Sequence, residues 1–314
     1  MRELLKESGY SPHVRLDEGK IMNAATISYR YFPFSTPARE TFQSAFDRKP
    51  FLFSHSVHQS ELFSWPMLST LAARAEAKSG GYYFESGSTT PGEKWRGVPE
   101  GKSLADVLEN IGDSNSLIML KRVQEYEEYR AFLATCMDEL GALCNIELER
   151  SYRDPVMTIL ITSPRRVTPY HIDGEANFLL QICGAKTVHI FNGDDREVLT
   201  DVELEKFWSG EDTKAPQYRE HLESKAWRFD ITPGTGVSNP VIFPHWVENG
   251  DNVSVSLSIN FKRVIDHAAD AYRINHALRK MGLKPSRPGS SALLDSVKST
   301  SYRAMRRLKR LAAR

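Results

Sequence analysis

The hydrophobic pattern of this chain changes at Val156, and the change limits the fold more than any other feature. From there the apolar residues come in short runs that read as strands: Val156–Thr162, Val167–Asp173, Phe178–Cys183, Thr187–Phe191, Trp227–Ile231, Val237–Phe243 and Val253–Phe261. Turn signals separate most of them, namely Ser163-Pro164, Gly184, Asn192-Gly193, Pro233-Gly234 and Asn249-Gly250-Asp251. Short strands with such turns predict a mainly-β fold with flanking helices. Its core is expected to be a barrel or sandwich of the jelly-roll type, a double-stranded β-helix. One helical insertion interrupts the series, opening on a Thr200-Asp-Val-Glu203 capping box and predicted to run to about Lys225.

The flanks read differently. Residues 1–154 are expected to form an α/β elaboration packed on a core of residues 155–262, and residues 263–314 a helical region. In the first part, Thr36-Pro37 opens a helix, Pro50 to His55 reads as a strand, and Glu61 to Lys78 as a helix interrupted by Pro66. Ser86 to Gly101 is rich in Gly, Ser, Thr and Pro, a long loop that is a candidate rim or lid. Leu117 to Leu120 reads as a strand, and Gln124 to Cys144 as a helix whose stripe of Tyr129, Phe132, Leu133, Cys136 and Leu140 is core packing. The last helix, Ala292 to Ala313, sets Leu293, Leu294, Val297, Met305, Leu308 and Leu311 against a basic side of Lys298, Arg303, Arg306, Arg307, Lys309 and Arg310. It can pack on its own domain, pair with its twin in a homodimer, or meet an anionic surface.

Composition narrows the function classes. In 314 residues the formal charge is +1, which argues against nucleic acid binding by the surface as a whole. No run of eighteen apolar residues predicts a membrane span, and the charged start Met-Arg-Glu-Leu-Leu-Lys-Glu does not read as a signal peptide. Three cysteines, Cys136, Cys144 and Cys183, are odd in number and lack CxxC spacing, which fits buried thiols in a reducing cytoplasm.

Chemistry concentrates between Thr168 and Lys186. His171 and Asp173 lie two apart in a predicted strand, so both side chains project from one face. Two of the three ligands of a 2-His-1-carboxylate iron site can come from such a pair, with His245 the candidate third. With nine histidines and 40 acidic residues in 314, about one His-x-Asp/Glu pair is expected by chance. A second, His221-Leu-Glu223, lies in a polar stretch read as helical, where residues two apart diverge. His171 alone reads equally as a ligand or as a core histidine. Lys186 stands among Ile182, Cys183, Val188 and Ile190, where an unpaired buried ammonium is costly unless a carboxylate meets it or it snorkels to solvent. Asn260 lies in an apolar, Ser-rich strand and is aimed at the barrel interior, whereas Asn177 also reads as a turn residue.

Taken together, His171-x-Asp173, Gly184-x-Lys186, Pro244-His245-Trp-Val-x-Asn249 and the following Val-Ser-Val-Ser-Leu-Ser-Ile-Asn-Phe resemble the JmjC/cupin-like family of Fe(II)- and 2-oxoglutarate-dependent oxygenases. The likeness spans about residues 155–262, and its spacing is similar to that of the asparaginyl hydroxylase acting on hypoxia-inducible factor. It implies that His171, Asp173 and His245 ligate iron and that Lys186 and Thr168 hold the outer carboxylate of 2-oxoglutarate. It places Asn177 and Asn260 near the metal-bound end of the co-substrate. Two departures set this chain apart: Glu175 stands near a glutamine involved with the relative's peptide, and Ile118 and Met119 fill the run where the relative has a pocket tyrosine. Asparagine hydroxylation is therefore not carried over.

The reading that follows is a dioxygenase consuming O2 and 2-oxoglutarate, releasing succinate and CO2, and hydroxylating an unactivated C–H bond. Its substrate is expected to be a peptide, protein residue, amino acid or natural product, entering beneath the 86–101 loop with Tyr170, Glu175 and Trp246 as candidate contacts. The alternatives are another metal-dependent cupin enzyme without 2-oxoglutarate, and a non-catalytic DNA-binding regulator using the basic C-terminal helix.

Overall fold

The computed structural model describes residues 30–87, 89–95 and 103–312. Its strands are β1 (Phe51–Ser54), β2 (Tyr82–Ser86), β3 (Ser116–Lys121), β4 (Tyr152–Thr162), β5 (Val167–His171) and β6 (Ala176–Cys183), then β7 (Lys186–Ile190), β8 (Trp227–Ile231), β9 (Thr235–Asn239), β10 (His245–Asn249) and β11 (Ser254–Arg263). They form a seven-stranded sheet in the order β1-β9-β6-β11-β4-β3-β2 and a four-stranded sheet in the order β5-β10-β7-β8, antiparallel throughout. Val188, Ile190 and Ile231 of the small sheet pack with Val237 of the large one, so the two sheets face each other across an apolar layer. This is the expected mainly-β jelly roll with flanking helices.

Strand periodicity divides the large sheet between two environments. On β4 and β11, Met157, Ile159, Ile161, Leu257, Ile259 and Phe261 point away from the small sheet into the main core. There they meet helices α1 (Thr36–Ala45), α2 (Trp65–Glu76), α3 (Leu104–Glu109) and α4 (Glu127–Cys144). Aromatic rings make this contact: Phe178 is fully buried, with Phe42, Phe46, Phe53 and Phe261 at centroid distances of 5.5 to 6.0 Å. The alternate residues, Thr158, Leu160, Leu179, Ser258 and Asn260, turn inward to a cavity between the sheets.

Several boundaries differ from the sequence-based expectation. The division at 154–155 falls inside β4, and β1, β2 and β3 from the N-terminal part extend the same large sheet. The predicted strand Val237–Phe243 covers only the end of β9, and residues 240–244 are the connection to β10, a strand the sequence pattern did not mark. Pro240 lacks a donor and Ile242 takes φ 64°, so the chain leaves the large sheet after Asn239 and re-enters the small one at His245. The insertion after Thr200 forms its capping box but is a short helix, Asp201–Ser209, ended by Gly210 in the left-handed conformation; a 3-10 segment, Glu220–Lys225, follows later. Glu61–Lys78 is likewise a 3-10 turn followed by a helix with Pro66 in its first turn, where proline is tolerated.

At the C-terminus, one helix (His267–Lys280) packs against another (Ala292–Ala312). Among the described residues, no helix is long and apolar enough to cross a membrane.

Candidate metal centre

Strand β5 and strand β10 carry the centre. Their register pairs His245 with His171 and then Val247 with Thr168, so two residues of β5, Pro169 and Tyr170, oppose the single residue Trp246. This irregularity resets the alternation, and Thr168 and His171, three apart, both face the cavity. Pro169 sits at the bulge, where a missing N–H is tolerated. Asp173 lies beyond the end of β5, not within the strand as expected, in a turn held by Ile242 N–H donating to its carbonyl at 2.9 Å.

The ligand-capable atoms of His171, Asp173 and His245 all lie within 4.8 Å of one another. His245 Nε2 stands 3.7 Å from Asp173 Oδ2, and the two imidazole centroids are 4.2 Å apart. Bonds of about 2.1 Å to one ion imply neighbouring donors about 3 Å apart, so a small closure brings the three together. The outer nitrogens are engaged: His171 Nδ1–H donates to Pro169 O at 2.7 Å, and His245 Nδ1 lies 3.1 Å from Phe243 O. Such bonds leave each Nε2 lone pair facing inward. Burial, followed by the nearby His171, pushes His245 down to about 4, which keeps it neutral at pH 7 as a ligand must be.

The triad opens into a cavity of about 520 Å³ between the sheets. Lys186 begins β7 after a turn at Gly184, whose φ of 69° and whose approach to Val253 O, 2.4 Å from where a Cβ would sit, admit only glycine. The lysine is 6 % exposed, with no carboxylate or carbonyl bonded to its ammonium among the described residues. Burial alone pushes its pKa down to about 7. Thr168 and Lys186 both line the cavity. Asn177 is a strand residue, not a turn residue. Its Nδ2 donates to Ser258 Oγ at 2.7 Å and to Asn260 Oδ1, placing an amide and hydroxyl cluster on the large-sheet wall.

The expected substrate contacts fall elsewhere. Trp246 points opposite to His245 and stacks on His189 at 3.7 Å, while its Nε1–H donates to Glu223. Tyr170 packs on Phe191 and Tyr218 on that outer side, because the bulge turns it away from the cavity. Glu175 lies outside the cavity wall, 3.4 Å from Lys262 Nζ, with its carboxyl pushed up by burial and then by Asp173. His221 is exposed and His189 is buried.

Sequence reasoning missed several wall residues. Lys121 and Met119 of β3 face inward together, and Tyr83 of β2 sits directly beside Met119 in register. Reading the strand alternation one step beyond Leu120 exposes Lys121. Trp95, from the described part of the 86–101 loop, sets its ring against His171 at 5.5 Å and Tyr83 at 5.8 Å. No sequence period announces that contact. Asn239 Nδ2 lies 3.0 Å from His245 Nδ1, a polar neighbour hidden inside an apolar run.

No family profile and no curated protein matches this sequence. Solved structures do match in shape. That of the Escherichia coli ribosomal oxygenase YcfD aligns at TM-score 0.50 and 14% identity, covering 88% of this chain and 68% of that one. A second structure of E. coli ycfD aligns at TM-score 0.51 and 13% identity, over 88% and 68% of the two chains. A third, of YcfD in complex with cobalt and 2-oxoglutarate, aligns at 0.50 and 15%, over 88% and 67%. The shared property is the fold, a cupin/JmjC-like jelly roll.

A buried, unpaired cation opposes folding. Replacing Lys186 by Met should stabilise the ligand-free protein by about 1 to 2 kcal/mol, a few degrees in Tm. The lysine's pKa is lowered on folding, so its penalty is fully present below about pH 7 and shrinks as pH rises toward the unfolded value. The gain in Tm should therefore be larger at pH 6 than at pH 9, as thermal unfolding at the two pH values will show.

Proposed function

We propose that the protein is an Fe(II)- and 2-oxoglutarate-dependent oxygenase that hydroxylates an unactivated C–H bond. One observation carries the reading: a buried lysine without a carboxylate partner among the described residues shares a cavity with an open-sided His-Asp-His triad. Two imidazoles and one carboxylate suit non-haem iron and leave positions for a chelating 2-oxo acid and O2. The second carboxylate of that acid supplies the anion Lys186 lacks, which favours this reading over a cupin enzyme acting without 2-oxoglutarate. The cobalt and 2-oxoglutarate complex of the similarly folded YcfD is consistent with it.

When bound, iron couples the oxidative decarboxylation of 2-oxoglutarate by O2 to insertion of one oxygen atom into a substrate C–H bond, releasing succinate and CO2. The chain's own residues do the rest. His171, Asp173 and His245 present their ligand atoms to one point, with the histidines oriented by Pro169 O and Phe243 O. Lys186 and Thr168 hold the outer carboxylate, while Asn177 and Asn260 place amide groups toward the chelating end. Leu179, Val188, Val237 and Val247 give the cavity apolar walls that limit water. The substrate is a peptide, protein residue, amino acid or natural product. The catalytic core is assigned to the strands of residues 155–262.

We infer in addition that the C-terminal helix pairs with a second copy. It meets its neighbour through its polar side, with Ser299 Oγ donating to Asp270 Oδ2 at 2.9 Å and Tyr302 beneath Arg273. Leu293 and Leu308, on the opposite stripe, stay 74 % and 66 % exposed.

Incubation with Fe(II), 2-oxoglutarate and O2 should release succinate even without the natural substrate, at a slow uncoupled rate. Asp173→Ala should abolish this release, and Lys186→Met should raise the KM for 2-oxoglutarate at least about tenfold, the value of a lost charge-assisted bond. Oxygen-dependent activity indifferent to 2-oxoglutarate contradicts the assignment. Light scattering should give a mass near twice 35.6 kDa that halves in a Leu308→Glu, Leu311→Glu variant; a monomeric wild type contradicts the pairing.

A further inference from the structure

Co-substrate binding accounts for one cation in the cavity, yet the described wall carries three. Lys121, Lys186 and Lys214 line it, and Asp173 is the single carboxylate among the described lining residues. With the cavity loaded as proposed above, the divalent metal and the dianionic co-substrate cancel, and the described wall residues retain an excess of two positive charges. A site with such an excess favours an anion over its neutral isostere.

The position of the extra charge is built. Lys121 Nζ lies 5.2 Å from the centroid of the Tyr83 ring, and among the described residues no carboxylate pairs with it. Tyr83 itself is anchored, its hydroxyl donating to Glu85 Oε2 at 2.6 Å, and Glu85 is in turn paired with the fully buried Arg166 at 3.1 Å. That carboxylate is therefore neutralised from behind and does not cancel Lys121. Trp95 packs between Tyr83 and His171, so the cationic wall reaches the metal ligands through two ring contacts. Lys214 Nζ donates to Trp95 O at 3.0 Å, which sets the second cation at the same rim.

From this arrangement we propose that the substrate carries a compact anionic group, a carboxylate or phosphate, held by Lys121 and Lys214 with an adjoining apolar part against Tyr83 and Trp95. The inference rests on the oxygenase reading, because Lys186 must be occupied by the co-substrate for the other two cations to be left to the substrate. Lys121 and Lys214 select the substrate; neither touches the triad.

The test uses full-length protein loaded with Zn(II), which permits binding without turnover, and with saturating 2-oxoglutarate. Ligand-observed NMR would measure affinities for 3-phenylpropionate and its uncharged isostere 3-phenylpropionamide, with phenyl phosphate as a second anion. The expected result is a five- to tenfold preference for an acid over the amide, on the order of a partly screened ion pair, shrinking as salt is raised. Lys121→Met should remove most of that preference while leaving the 2-oxoglutarate affinity within about twofold. Which acid binds more tightly separates carboxylate from phosphate. An acid that binds no better than the amide, including the case where neither binds, overturns the proposal, as does a preference that survives Lys121→Met combined with Lys214→Met. Weakened 2-oxoglutarate binding in Lys121→Met would also overturn it, moving that lysine to the co-substrate pocket and leaving the oxygenase reading intact. Failure of wild type to bind 2-oxoglutarate would instead remove the reading beneath.

Discussion

The bulged pairing of β5 with β10 is the constraint on which the site depends. An unbroken antiparallel register would put Thr168 and His171 on opposite faces of the small sheet. The extra residue at Pro169-Tyr170 turns both inward and sends Tyr170 outward, so a single irregularity brings one imidazole of the triad and one hydroxyl to the same cavity wall. The crossover at Pro240 to Pro244 completes the arrangement. It moves the chain from the large sheet to the small one and delivers His245 opposite His171 at the first residue of β10.

The inner and outer faces of the large sheet do opposite work. Its outer face is packed with aromatic rings around Phe178, with every partner apolar. Its inner face spends burial on polar groups, with Asn177, Ser258 and Asn260 bonded to one another and Lys186 facing them from the small sheet without a mate among the described residues. Satisfied polar clusters of this kind are close to neutral for stability, but an unmatched ammonium is not. The helical layer and its aromatic core supply the margin that lets the cavity remain polar. The same reasoning explains why Arg166 and Glu85 are tolerated at full burial: they pair with each other, and the arginine also donates to backbone carbonyls of Gly87 and Asn115.

Much of this was legible in the residues. Period-2 runs and Gly or Pro turn signals gave the strand content, and the His-x-Asp pair with a distant Pro-His gave the three donors the fold brings together. Short-range rules failed where tertiary contacts decide. A run such as Val237 to Phe243 looks continuous by its apolar residues, although Pro240 inside it and Pro244 just after it mark where the chain leaves the large sheet. Adjacency to a ligand misplaced Tyr170 and Trp246, since neighbours along a strand point away from each other unless a bulge intervenes. Lys121 was readable from alternation with Met119. Trp95 was not, because a loop ring meets His171 only once both sheets are in place.

The most direct test of the account is an anaerobic titration of metal-free protein with Fe(II) and then 2-oxoglutarate, followed by visible absorption. Wild type should show the charge-transfer band of a chelated 2-oxo acid, and His171→Ala should show none. Iron that binds without producing the band would contradict the shared use of the triad and Lys186 by one co-substrate, and an unchanged band in His171→Ala would contradict the triad itself.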